Sequence, residues 1–164
     1  MSGVRLFRLL LIAISVMSVS GCASKQTEIN VSTLSDKEIP TPGSSRDFSL
    51  NVGDRILFTV DSVSLTTTAK TTLQRQAAWL KLHPQKNIVI EGHADERGTR
   101  EYNLGLSAQR AEVTRSHLVS LGVATNRLRT LSYGKERPVA ACETESCWSQ
   151  NRRAVTLLNN IQPS

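Results

Sequence analysis

Short apolar runs alternate with segments of helical periodicity between residues 51 and 158, and this alternation constrains the fold most strongly. Apolar runs typical of strands occupy 55–59, 87–91, 128–133 and 153–158. Apolar residues at helical spacing predict one helix over 65–80 and a second over about 103–121. The resulting order, β-α-β-α-β-β, predicts an α+β domain in which helices cover one side of a mixed sheet.

Two finer predictions concern how these elements are buried. The run over 87–91 is apolar on both faces, which indicates a central strand that is covered on both sides. The second helix is predicted to pack on the sheet through four apolar residues at helical spacing: Leu104, Ala108, Ala111 and Leu118.

The beginning of the chain has the pattern of a secretory signal. Arg5 and Arg8 precede an apolar run over 9–19 that is too short to span a bilayer. Small residues at 20 and 21 then lead to Cys22, which resembles the lipobox of bacterial lipoproteins. There the signal is cut before the cysteine, and several acyl chains hold the protein at the membrane. We therefore expect a signal peptide over 1–21 and lipidation at Cys22, with a secreted protein carrying a free thiol as the alternative.

The residues that follow Cys22 predict where the protein is held and how. Ala23 stands where an aspartate would resemble the retention signal for the inner membrane, so the outer membrane is expected. The segment 22–50 is rich in Ser, Thr, Pro and charge, and such a composition cannot bury enough apolar surface to order itself. We expect a lipidated flexible tether over 22–50 and a folded domain over 51–164.

The charge balance disfavours nucleic acid as a partner. The formal charge of +6 includes Arg5 and Arg8 of the predicted signal, and from Cys22 onward 18 bases face 14 acids. This small excess is spread along the chain, whereas proteins that bind nucleic acid more often carry a concentrated basic stripe.

Two further cysteines, Cys142 and Cys147, have four residues between them. In an oxidising periplasm this pair predicts a local disulfide, which would stabilise the domain by roughly 2 kcal/mol. A metal site is disfavoured, because one cysteine pair without a nearby histidine does not complete a tetrahedral ligand set.

The most informative stretch begins where the strand over 87–91 delivers its end into a polar, glycine-flanked loop that feeds a helix, a common place for a ligand. Its motifs, with others further along the chain, closely resemble the peptidoglycan-associated lipoproteins, a family with an OmpA-like domain on a lipid anchor. The resemblance covers about residues 51–160 and rests on Glu91-Gly-His-Ala-Asp-Glu-Arg-Gly-Thr99, Tyr102-Asn103-Leu104, Arg110-Ala111, Ser132-Tyr-Gly-Lys-Glu-Arg-Pro138 and Asn151-Arg152-Arg153-Ala154-Val155.

The resemblance implies that the domain binds the meso-diaminopimelate residue of the peptidoglycan peptide stem. It also implies partnership with TolB in the Tol–Pal system, which draws the outer membrane inward at division. By motif, Asp95 would accept hydrogen bonds from the ammonium of the ligand, and Arg110 would bind its carboxylate with two parallel bonds. A lysine-type stem lacks that carboxylate and would leave Arg110 unpaired. A surface ion pair between Asp95 and Arg110 themselves is the alternative.

The resemblance implies roles for several neighbours of this pair. Asn103 matches an asparagine that frames the pocket, and Asp61 matches the last acid of a Phe-Asp-Phe-Asp segment. Thr59 stands in place of the first Asp of that segment, which removes the expected contact there. Arg152 is interpreted as a sheet-edge or pocket-wall charge, and His93 as a structural residue whose ring is hydrogen-bonded under the loop.

Two other classes of protein remain as alternatives. A wall hydrolase or amidase would need paired carboxylates, a zinc triad or an activated nucleophile. Ser107 lies in Gly-Leu-Ser-Ala-Gln, which lacks the second glycine of a nucleophile elbow. A flagellar-stator-like wall anchor has a similar domain but a true membrane-spanning helix. We therefore expect a binding protein that is not an enzyme and has no metal or other cofactor.

Overall fold

The computed structural model describes residues 40–159. The predicted signal peptide, Cys22 and most of the predicted tether lie outside this range. No helix within the described range is long and apolar enough to cross a membrane. The elements in chain order are α1 (Ser45–Asp47), a π-helical segment (Phe48–Gly53), β1 (Arg55–Leu57), α2 (Thr67–Leu82), β2 (Asn87–Gly92), α3 (Arg100–Ser120), a 3₁₀ turn (Thr125–Arg127), β3 (Leu128–Ser132), α4 (Glu145–Asn151) and β4 (Arg153–Asn159).

The four strands form one mixed sheet in the order β1-β4-β2-β3. β4 runs antiparallel to both β1 and β2, and β3 runs parallel to β2. Ile90 in β2 is paired with Thr156 of β4 on one side and with Thr130 of β3 on the other. The α+β class and the mixed sheet predicted from the sequence are therefore confirmed, and β2 is an interior strand.

The helices cover one face of β2, and the other face is partly open. Ile88 and Ile90 are buried, whereas the alternate residues Val89 and Glu91 are half-buried. Leu157 of β4, which is paired with Val89, is exposed. The prediction of a strand covered on both sides is therefore wrong. β-branched residues suit a pleated, half-buried surface through contacts with neighbouring strands alone, so they do not report a second layer.

The buried face of α3 differs from the face that apolar spacing predicts. Ala111 and Leu118 are buried as expected, but Leu104 is 47% exposed and Ala108 is also exposed. The prediction is wrong in the first half of the helix because that half buries polar side chains that find hydrogen-bond partners. The residues of α3 that are buried are Asn103, Ser107, Arg110, Ala111, Thr114 and Leu118.

Threonine caps fix where the two long helices begin. The hydroxyl of Thr66 accepts a hydrogen bond from the backbone N–H of Ala69, and that of Thr99 accepts one from Tyr102, each at 3.1 Å. Such caps satisfy N–H groups that have no partner within the helix. The cap at Thr99 starts α3 three residues before the start predicted from apolar spacing.

The end of β2 lies almost in contact with α3. A Cβ atom added to Gly92 would come within 1.8 Å of the backbone oxygen of Ser107, so no larger residue fits there without movement. The hydroxyl of Ser107 also accepts a hydrogen bond from the backbone N–H of Gly134 at 2.9 Å. These contacts hold the end of β2 and the loop after β3 against α3.

The folded domain begins earlier than residue 51. Phe48 is buried, and its ring packs edge-on against Trp79 with 5.0 Å between centroids. The indole N–H of Trp79 donates to the carboxylate of Asp47 at 2.9 Å. The boundary predicted at 50/51 is therefore wrong by a few residues, because a single buried aromatic in a polar segment leaves no periodic signal.

A disulfide joins Cys142 to Cys147 and closes the loop that leads into α4. Their Cα atoms are 5.6 Å apart. The side chain of Asn151, at the far end of α4, accepts from the backbone N–H of Val139 and donates to the carbonyl of Ala140, each at 2.8 Å. The loop is therefore tied both to itself and to the end of the helix that follows.

Candidate functional site

A cleft of about 340 Å³ opens beside the loop between β2 and α3. The structure brings together here all four residues that the sequence indicated as ligand-binding: Asp61, Asp95, Asn103 and Arg110. The full lining consists of Val60, Asp61, Asp95, Arg97, Gly98, Tyr102, Asn103, Leu106 and Arg110.

Arg110 is fully buried and reaches the cleft from α3. Its guanidinium donates to three backbone carbonyls, those of Ser62 at 3.0 Å, His93 at 3.0 Å and Thr59 at 3.2 Å. It also lies 5.2 Å from the centroid of the Phe58 ring. Burial lowers the pKa of Arg110 to about 10, because the charged form is poorly solvated there. The side chain thus links the segment after β1 to the loop after β2.

Asp95 lies in the loop after β2 and is held by two arginines. Its Oδ1 accepts from the backbone N–H and the Nε of Arg97, at 3.1 and 3.3 Å. Its Oδ2 accepts from Nη2 of Arg97 at 2.6 Å and from Nη1 of Arg152 at 3.1 Å. Burial acts to raise the pKa of the Asp95 carboxyl, but the hydrogen bonds from both arginines outweigh it and lower that pKa. Asp95 is therefore a stable carboxylate.

Asp95 and Arg110 line the same cleft without pairing with each other. In residues 40–159, the ion pairs of Asp95 are with Arg97 and Arg152, and the hydrogen bonds of Arg110 go to backbone carbonyls. The alternative of a mutual surface pair is therefore wrong. The cleft holds a fixed anion and a fixed cation that act separately.

Arg97 is a component of the site that the sequence analysis missed, and the contacts of Arg152 are ones that it did not predict. Arg97 received no role, although its position two residues after Asp95 lets it fold back onto that carboxylate. Arg152, which the sequence indicates as a sheet-edge or pocket-wall charge, is buried, donates to Asp95 from behind and does not line the cleft. It also pairs with Glu145 of α4. No local pattern could reveal the contacts of Arg152, because 57 residues separate it from Asp95.

Asn103 holds the loop that carries Asp95. It is buried, and its amide nitrogen donates to the carbonyls of Arg97 at 2.7 Å and Thr99 at 3.1 Å. Lys135 also holds this loop, from its exposed side, because its ammonium donates to the carbonyl of Gly98 at 2.7 Å. The loop is thus fixed through its backbone on both sides.

Asp61 and Tyr102 join opposite sides of the cleft. The hydroxyl of Tyr102, in the first turn of α3, donates a short hydrogen bond to the carboxylate of Asp61. This bond to an anion raises the pKa of Tyr102. Asp61 has a φ of 48°, a left-handed conformation that aspartate tolerates better than most residues.

His93 is buried between the sheet and Tyr133, whose ring stacks on it with 5.6 Å between centroids. Neither ring nitrogen has a hydrogen-bond partner in the described part of the chain. The nearest acid, Glu91, lies 3.6 Å from Nε2. The prediction of a hydrogen-bonded ring is therefore wrong. Burial, together with the positive charges of Arg153 and Arg137, lowers the pKa of His93 to about 4.

The chemistry of the cleft is that of two opposite charges, each of which is held by several hydrogen bonds. Such an arrangement can bind a small group that carries both an ammonium and a carboxylate. Among residues 40–159, no group of three or more His, Cys, Asp or Glu side chains could hold a metal ion.

The sequence matches the model of the OmpA family over residues 57–152. It is 57% identical, over 148 residues, to a protein of Mesorhizobium japonicum named peptidoglycan-associated lipoprotein. The aligned region covers 89% of this chain and 88% of that protein. A protein of the same name from Brucella melitensis is 58% identical over 147 residues, with 87% and 86% covered.

Solved structures show the same fold. The crystal structure of the peptidoglycan-associated lipoprotein from Burkholderia pseudomallei is 40% identical with a TM-score of 0.66, over 71% of this chain and all of that one. The C-terminal domain of Helicobacter pylori MotB has a TM-score of 0.62 at 22% identity, over 66% of this chain and 85% of that one. The second likeness concerns the fold alone.

Proposed function

Because this chain belongs to the OmpA family, among the peptidoglycan-associated lipoproteins, we propose that its domain binds peptidoglycan through the diaminopimelate residue of the peptide stem. The binding is non-covalent and involves no catalysis. The observation that carries the proposal is the presence of Asp95 and Arg110 in one cleft, as separate and opposite charges. The free end of diaminopimelate bears both an ammonium and a carboxylate and matches this pair.

Arg110 is the proposed partner of the ligand carboxylate. A guanidinium carries five N–H donors, and the three carbonyl bonds of Arg110 use three of them. Its lowered pKa reflects a cation that burial has removed from water. A ligand carboxylate would offset that cost, whereas a lysine side chain, which has no carboxylate, would not.

Asp95 is the proposed partner of the ligand ammonium. Each of its oxygens already accepts two hydrogen bonds, which is close to the capacity of a carboxylate. The ammonium therefore takes the place of a bond from the Arg97 side chain, which is 40% exposed and free to move towards solvent. Arg152 is buried and stays in place.

The proposed setting is the space between the outer membrane and the cell wall. Acyl chains on Cys22 hold the chain in the outer membrane, and the tether that is predicted to follow Cys22 lets the domain reach the wall. A modest affinity is sufficient there, because the anchor keeps the domain at high local concentration near the wall. The protein works with TolB in the Tol–Pal system, maintains the envelope and draws the outer membrane inward at division.

Co-sedimentation with purified diaminopimelate-type sacculi tests the proposal. We expect the wild-type mature chain to pellet with the wall and Asp95→Asn to remain largely in the supernatant. Glu112→Gln is the matched control, since it removes an acid of α3 that pairs with Arg115 on the exposed surface. Circular dichroism and melting curves establish that each variant is folded. Equal pelleting of folded Asp95→Asn and wild type would contradict the proposal.

A further inference from the structure

The loop closed by the disulfide, residues 142–147, carries a residue that belongs to the charge network of the cleft. Glu145 lies inside this loop and pairs with the guanidinium of Arg152, the same group that donates to Asp95. Arg152 thus lies between two carboxylates. Glu145 does not line the cleft itself, so any effect it has on a ligand passes through Arg152.

Glu145 changes the charge balance around Asp95. Arg97 and Arg152 together bring two positive charges to the single negative charge of Asp95, which leaves a local excess of one cation. An approaching ammonium is repelled by such an excess. Glu145 supplies a second negative charge, so the four groups that these ion pairs join are neutral together. An ammonium meets a more favourable potential when Glu145 is in place.

Trp148 follows the disulfide loop directly and connects this loop to Arg97. The guanidinium of Arg97 lies over the Trp148 ring, 4.4 Å from the centroid. The indole N–H of Trp148 donates to the carboxylate of Glu96 at 2.7 Å. Arg97 therefore contacts α4 through Trp148 in the same position in which it donates to Asp95.

Glu145 is the first residue of α4, and the disulfide ties this turn of the helix to the preceding loop through Cys147. The side chain of Glu145 is 59% exposed, and an exposed carboxylate with a mobile backbone gains little from a single ion pair. The loop contains only four residues between its cysteines, so closing it restricts where Glu145 can be. The far end of α4 is held separately by Asn151. Opening the disulfide would release Glu145 while that end of the helix stays attached.

We propose that the disulfide loop is a positioning element, which holds Glu145 against Arg152 so that Asp95 can accept the ammonium of the ligand. The inference rests on the proposed function and goes beyond it, because it assigns a role in ligand binding to residues outside the cleft. Glu145 and the disulfide act on affinity through Arg152, and neither touches the ligand.

The first experiment compares two probes by calorimetry on the full mature chain. One is a muramyl tripeptide ending in meso-diaminopimelate, and the other is the same tripeptide with the distal amino group acetylated. We expect Glu145→Gln to weaken binding of the first probe by about three- to tenfold, in the range of charge effects at an interface. Its effect on the second probe, which has no distal ammonium, is expected to be small. Glu145→Asp should restore most of the affinity.

Glu143→Gln is the matched control, because Glu143 is exposed in the same loop and its loss changes the net charge equally. The double variant Cys142→Ser/Cys147→Ser tests the disulfide and is expected to reproduce the loss seen with Glu145→Gln. Equal weakening of both probes, or unchanged affinity in Glu145→Gln, would overturn the inference while the proposed function stands. Failure of the wild type to bind the first probe would instead overturn the proposed function.

Discussion

Arg152 donates from Nη1 to Oδ2 of Asp95 across 3.1 Å, and the exposed fractions of the two side chains are 4% and 9%. A pair so well removed from water is costly to assemble, yet the loss of one member leaves the other as an uncompensated buried charge. Arg152, near the end of the chain, therefore acts together with Arg97 to keep Asp95 ionised and fixed. This dependence gives the first prediction.

Arg152→Leu is expected to lower the free energy of unfolding by about 3 kcal/mol, because Asp95 loses its buried partner. Arg100→Leu breaks the pair between Arg100 and Glu136, which is exposed, and should change stability by less than about 1 kcal/mol. Urea unfolding of both variants measures the contrast. Similar decreases in the free energy of unfolding in the two variants would show that the buried pair contributes no more to stability than the exposed pair.

Gly92→Ala is expected to destabilise the domain by about 4 kcal/mol or more, because the added Cβ would collide with the backbone oxygen of Ser107. Gly105→Ala serves as the control within α3, where nothing lies within 4 Å of the added atom. That substitution should raise stability by about 0.5–1 kcal/mol through helix propensity. Thermal melts compare the two, and a stable Gly92→Ala would refute the close approach of β2 to α3.

The stability of the domain is expected to fall as the pH is lowered from 6.5 towards 4 through His93. Its pKa is about 4 in the folded protein and 6.5 in a free side chain, so the unfolded chain binds the proton first. The stability contributed by neutral His93 is complete above pH 6.5 and is lost as the pH falls through 4, by up to about 3 kcal/mol. Urea unfolding of wild type and His93→Phe at pH 7 and 4.5 measures it. An identical pH dependence in both proteins would contradict the assignment.

Reduction of the disulfide between Cys142 and Cys147 is expected to lower the free energy of unfolding by about 2 kcal/mol, the cost of the freedom that the unfolded chain regains. Denaturation with and without dithiothreitol measures the difference, and Cys142→Ser/Cys147→Ser provides the control that should no longer respond. Loss of the whole fold on reduction would contradict the view that Asn151 holds the end of α4 independently.

Features with a local signature were predictable from the sequence. Strand β2 follows from a run of β-branched residues, and the cleft at its end follows from the polar, glycine-flanked loop that holds Asp95. The spacing of Arg110 within a helix indicated the element that carries it. These features depend on short-range periodicity or on a contiguous motif, and both can be seen in the sequence.

Features that depend on distant contacts were not predictable in this way. The burial of Arg110 in place of Leu104 arises because backbone carbonyls of residues far along the chain accept its hydrogen bonds. Phe48 joins the core by packing on Trp79, 31 positions away. Hydrophobic periodicity contains no information on either effect, because both are set by which elements meet in the folded chain.

The most direct measurement of the central claim is the affinity of the mature wild-type chain for two muramyl tripeptides that differ only in their third residue. One ends in meso-diaminopimelate and the other in L-lysine, so only the first carries a carboxylate at the distal end of its side chain to bind Arg110. We predict that calorimetry will show at least about tenfold tighter binding of the diaminopimelate form, since a buried guanidinium without its partner costs more than 1.4 kcal/mol. Equal affinities for the two tripeptides would contradict the account.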